Sequence, residues 1–66
     1  MKEICFSQNL RELRVSKGLS QAALGKLVGV DQRTISGWEK GVSEPSFTTL
    51  ARLCEIFDET FDSILT

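Results

Sequence analysis

Histidine is absent from this 66-residue chain, and its two cysteines, Cys5 and Cys54, stand far apart with no CxxC spacing. Zinc usually takes four ligands, so a structural metal site is excluded and no metal or other cofactor is expected. There is no nucleophile beside a base and no glycine-rich phosphate loop, and so short a chain has little volume for a pocket. Neither catalysis nor a small-molecule ligand is indicated. Apolar runs are only a few residues long, far short of a membrane span. The start, MKEICFSQN, carries an acid and polar residues where a signal peptide needs an apolar stretch. These absences point to the cytoplasm, with both thiols acting as small buried hydrophobes, Cys54 on an apolar helix face and Cys5 near the start.

Low-complexity tracts are also missing, and apolar content is near average, so the chain reads as globular. Its length makes one domain over residues 1–66, burying only about 60% of the surface that the unfolded chain exposes. An overall basic excess is lacking too, with a net charge of -1. The charge is unevenly spread, however. Residues 1–41 hold seven Lys/Arg against four Asp/Glu, whereas residues 42–66 hold one Arg against five acids. One side of the molecule is expected to be basic, with a weak positive field.

What is present is helical periodicity. Phe6, Leu10 and Leu13 predict a first helix from Ile4 or Phe6 to Lys17, stopped by Gly18 in a left-handed conformation. Ser20 caps a second helix with Leu24 and Val28 inward, ending at Gly29; Ala23 at the third position leaves no return arm for a capping box. Val30 lies in the turn. Asp31 caps a third helix, with Ile35 and Trp38 inward and Gln32, Arg33, Ser36, Gly37 and Lys40 on the other side. Gly41 closes it. Val42 to Pro45 form a loop, and Ser46 caps a fourth helix carrying Leu50, Ala51, Leu53, Cys54 and Phe57 inward. Thr60 caps a short final helix with Phe61, Ile64 and Leu65. No strand pattern competes. Two short helices joined by a tight turn over about residues 20–40 make a helix-turn-helix, whose usual task is to set its second helix into the major groove of DNA.

These segments resemble the Cro and phage-repressor type of helix-turn-helix protein, the XRE family, over nearly the whole chain. NLRELRVSKGLSQ is similar to the family's first helix and the entry to the second, and GVDQRTISGWEKG to its turn and recognition helix. EPSFTTLARLCEIF is similar to its Pro-Ser-capped fourth helix, and TFDSIL to its closing helix. The resemblance implies an all-α, compact five-helix lambda-repressor-like DNA-binding domain. It implies that Arg14 and Glu39 form a partly buried salt bridge, and that Gln32, Arg33 and Ser36, with Gly37 alongside, face base edges. Gln21, Lys40 and the helix start at Ser46 are implied to contact phosphate, and Gln21 also to brace a side chain of the recognition helix. The sequence departs from the family at Gly37, where several relatives carry a base-reading side chain, and at Gly25, where alanine is usual. Asp58-Glu59 stands in place of a typical Gly-Val.

The residue types suit DNA on chemical grounds. Arginine forms paired hydrogen bonds to guanine O6 and N7, and glutamine does so to adenine N6 and N7. The exposed amides at the starts of the second and fourth helices are natural phosphate sites. The plainer alternatives are that the polar residues of the third helix form a solvated face, that Trp38 is core and not a stacking residue, and that Gln21 serves only the capping turn. The expected function is a sequence-specific double-stranded DNA-binding transcriptional regulator. One domain reads few base pairs, so a homodimer on a two-fold operator is expected, joined through the fourth and fifth helices. Phe47, Ile56, Phe61 and Ile64 include more apolar side chains than a small core hides. The competing reading is a protein-interaction module of the same fold, an antitoxin-like partner, which the acidic balance and Gly37 favour.

Overall fold

Five helices form where the apolar spacing puts them: α1 (Phe6–Ser16), α2 (Gln21–Val28), α3 (Gln32–Glu39), α4 (Phe47–Phe57) and α5 (Phe61–Leu65). The computed structural model describes residues 4–66. Met1–Glu3, at the head of the segment that argues against a signal peptide, lie outside them.

Local chemistry sets most boundaries. Ser20, Asp31, Ser46 and Thr60 each accept a backbone N–H of the first turn that follows, which satisfies donors that a helix start leaves unpaired. Thr60 goes further, because Ser63 returns the bond to the Thr60 N–H and completes a capping box. Serine in the place usually held by Glu or Gln hides that box from a sequence pattern. Cys5 is the N-cap of α1 and supplies no side-chain bond, and it is half-buried where full burial is expected. Its N–H donates to the Leu65 carbonyl at 2.7 Å, tying the start of α1 to the end of α5.

Every helix contributes to one core: Phe6 and Leu10 from α1, Leu24 from α2, Ile35 and Trp38 from α3, Leu53, Cys54 and Phe57 from α4, and Ile64 from α5. Leu13, Val28, Val30 and Leu50 pack against it from partly buried positions. Ile64 is fully buried, which removes it from the candidate surface residues of the last two helices. The Asp58-Glu59 link does not loosen this end: the Asn9 side chain also donates to the Ile64 carbonyl at 3.0 Å.

The turn between α2 and α3 depends on two glycines. Gly29 ends α2 at φ 86°, a left-handed conformation that glycine adopts without penalty. Gly25 is fixed by proximity instead. Its carbonyl accepts the N–H groups of Gly29 and Val30, and a Cβ at this position would lie 2.6 Å from the Val30 carbonyl oxygen. The turn thus folds back on α2 closely enough that a side chain at position 25 would force backbone to shift.

Candidate nucleic-acid interface

Asp31 builds the exposed amino end of α3. Its Oδ1 accepts the Arg33 N–H at 2.8 Å, which occupies the carboxylate with a backbone donor. Gln32 and Arg33 follow at once, and both are exposed. Ser36 is half-buried one turn later, and Lys40, the C-cap of α3, is exposed. Among the described residues, neither Arg33 nor Lys40 is engaged in an ion pair. The inward side of the same helix carries the buried Ile35 and Trp38, so the polar face is fixed in rotation by the core.

Trp38 is 4% exposed, which places it in the core and leaves no face for stacking on bases. Gly37 is half-buried and turned towards the α3–α4 loop. A Cβ there would meet Ser43 Oγ at 2.9 Å, while the Gly37 carbonyl accepts the Val42 N–H at 2.9 Å. A side chain at position 37 would therefore set out towards Ser43. This link between the loop and Gly37 has no signature in the sequence.

Beneath the polar face lies the Arg14–Glu39 pair. Arg14 Nε donates to Glu39 Oε2 at 2.6 Å and Nη2 to Oε1 at 3.1 Å, while Nη1 serves the Leu19 carbonyl at 2.8 Å. The side chains are 13% and 5% exposed, so the pair is partly buried, as the resemblance implies. The hydrogen bond donated to Glu39 holds the guanidinium pKa above its ordinary value, against the opposing effect of burial. Gln21 reaches the same pair from α2, a contact of the bracing kind that the resemblance implies: its Nε2 donates to Glu39 Oε1 at 3.2 Å.

At the far edge, Ser46 is exposed, but its hydroxyl is already used. It accepts the Thr49 N–H at 3.2 Å and donates to Thr49 Oγ1 at 2.9 Å. A phosphate at this helix start would meet backbone N–H groups. Beside it, Phe47 stacks on Phe61 with ring centroids 5.0 Å apart and planes 11° from parallel. Phe47 is 74% exposed and Phe61 38%, so a stacked aromatic pair lies on the surface where α4 and α5 begin. Both residues directly follow a capping residue, which is the one sequence signal for their common placement.

Among the described residues, no group of His, Cys, Asp or Glu could hold a metal ion, and no helix is long and apolar enough to cross a membrane.

Comparison with known proteins agrees with this architecture. The chain is 39% identical over 56 residues to the HTH-type transcriptional regulator AnsR of Bacillus subtilis (strain 168), a match covering 85% of this chain and 48% of AnsR. The first curated relatives are longer, and the chain spans about half their length or less. Among solved structures, the restriction-modification controller protein C.AhdI from Aeromonas hydrophila superposes with a TM-score of 0.80 at 37% identity, over 89% of each chain. The P22 c2 repressor in complex with a synthetic operator gives a TM-score of 0.87 at 32% identity, covering 100% of this chain and 97% of the repressor. The helix-turn-helix family profile itself matches residues 10–64. The chain belongs to the helix-turn-helix family.

Proposed function

We propose that this chain is a sequence-specific double-stranded DNA-binding transcriptional regulator of the cytoplasm that reads the major groove with α3. The observation that carries the reading is the exposed Gln32–Arg33 pair at the amino end of α3, on a helix held from below by its core face and by Arg14–Glu39. Gln32, Arg33 and Ser36 face the bases, and Gly37 brings the backbone close beside them. Lys40, Gln21 and the backbone amides following Ser46 meet phosphates. The relatives support the same reading, being transcriptional regulators and, for the P22 c2 repressor, a protein bound to an operator.

The chain acts as a homodimer, joined through α4 and α5, on half-sites about 34 Å apart. The support is the Phe47–Phe61 stack, which leaves two aromatic rings on the surface of those helices. Selection of bound fragments from a random DNA pool tests both statements. Two inverted half-sites at one helical turn are expected. Recovery of no preferred sequence would refute base reading, and a single half-site would refute the dimer.

The net charge of -1 and the sequence pI of 5.3 favour a second reading, a protein-interaction module of antitoxin type. Absence of DNA binding even at low salt, together with capture of a protein partner, would select it over the first.

A further inference from the structure

Arg33, Gly37 and Lys40 stand at helical spacing and so form one stripe along α3. Arg33 and Lys40 are exposed at its two ends, and the buried Ile35 and Trp38 lie on the other side of the helix. The middle of the stripe bears no side chain. A substituent at position 37 would rise between the two cations.

Another group takes that place. The Gly37 carbonyl accepts the N–H of Val42 at 2.9 Å and that of Ser43 at 3.4 Å, which folds the α3–α4 loop back on the end of α3. Ser43 Oγ then lies 2.9 Å from where a Cβ on residue 37 would sit, closer than a real Cβ permits. The hydroxyl holds this position only because residue 37 is glycine. Ser43 is exposed. Among the described residues its hydroxyl enters no hydrogen bond, whereas that of Ser46 is committed to Thr49 both as donor and as acceptor.

We propose that Ser43 is a specificity-determining residue for DNA: its hydroxyl, carried by the loop and standing over Gly37, reads a base edge from outside α3. The inference rests on the DNA-binding reading. A hydroxyl both donates and accepts, which suits the polar atoms that a base pair presents in the major groove. The bare backbone at Gly37 lets this part of α3 approach closely, so a short side chain suffices. A base contact and a phosphate contact leave different traces, because a phosphate contact carries no sequence information and its loss weakens all sequences alike.

The test uses the full chain and two duplexes of equal length, one recovered by selection from a random pool and one of random sequence. Ser43→Ala removes the hydroxyl from an exposed loop, and the melting temperature is expected to stay unchanged. Affinity for the selected duplex is expected to fall about fivefold, the scale of one neutral hydrogen bond, with affinity for the random duplex unchanged. Single base-pair changes in the selected duplex are expected to locate the loss at one base pair, where the wild type discriminates and the variant does not. Equal losses on both duplexes would make Ser43 a phosphate contact and overturn the proposal, as would no loss on either.

Gly37→Ala removes the same hydroxyl from the helix side. The new Cβ would displace Ser43 Oγ, the end of a side chain that rotates, and no backbone has to move. Alanine also favours the helix, so the melting temperature is expected to hold or rise while discrimination at that base pair is lost. Adding Ser43→Ala to Gly37→Ala is expected to cost nothing further, because the contact is already gone. Full discrimination by Gly37→Ala, or a further fivefold loss in the double variant, would overturn the proposal. A wild-type protein with no preference for any duplex would overturn the DNA reading and this inference together, whereas failure confined to the variants strikes the inference alone.

Discussion

Arg14 and Glu39 meet through two hydrogen bonds, at 2.6 Å and 3.1 Å, that join the last turn of α1 to the last residue of α3. Helix α3 is thereby anchored at the end opposite its exposed Gln32–Arg33 pair. Removing one partner strands the other charge below the surface. Arg14→Met is expected to cost about 3 kcal/mol, at the lower end for a buried pair because the arginine retains some solvent contact. Thermal denaturation followed by circular dichroism checks this. The double replacement Arg14→Met with Glu39→Leu is expected to recover much of the loss, because no unpaired charge remains.

Gly25→Ala runs against helix propensity. An exposed helical glycine gains about 1 kcal/mol on replacement by alanine. Here the new Cβ would press on the Val30 carbonyl at 2.6 Å, and backbone has to move. A net destabilisation of about 1–3 kcal/mol is expected, visible as a lower melting temperature. A rise would show that the turn accommodates the methyl group.

Arg33→Ala and Lys40→Ala separate base reading from phosphate contact. The first is expected to weaken binding to the selected site by about 1–3 kcal/mol and to relax preference at one base pair. The second is expected to weaken all sequences alike and to flatten the dependence of affinity on salt. Titrations of selected and random duplexes at several salt concentrations distinguish them, and equal effects of both variants on every sequence would refute the assignment.

Asp58 adopts φ 53°, the left-handed conformation in which α4 ends. A side chain there is strained, and its carboxylate also sits at the negative end of the helix dipole. Asp58→Gly is expected to raise stability by about 1 kcal/mol, a shift of about 4–8 °C in melting temperature for a domain of this size.

The buried Cys54 thiol has its pKa pushed up, first by burial and then by the charge of Glu59. The native state thus holds this proton more tightly than the unfolded chain does. Its contribution to stability is complete below the ordinary thiol pKa of about 8.5 and is lost as pH rises through the higher native value. Stability of the wild type and of Cys54→Ala, measured across neutral and alkaline pH, is expected to converge as pH rises. A constant difference would contradict the shift.

Much of this was legible along the chain because its causes are local. Apolar residues three and four apart dictate which face of each helix turns inward, and Ser20, Asp31, Ser46 and Thr60 carry a side-chain oxygen one residue before each helix that they cap. Such bonds close within a few residues, so sequence spacing determines them. Ile64 and Cys5 mark where spacing ran out: the first is fully buried and the second is half-exposed, because burial depends on which elements arrive from elsewhere.

The remaining features belong to the tertiary structure alone. Gln21 meets Glu39, Gly37 holds the loop at Val42, and Phe47 stacks on Phe61 only after separate helices have packed. The amide of Gln21 is chemically suited to a phosphate, a capping turn or a carboxylate, and the sequence does not distinguish them. Distance and angle bring it to the Glu39 carboxylate, and both are set when the shared core brings α1, α2 and α3 together.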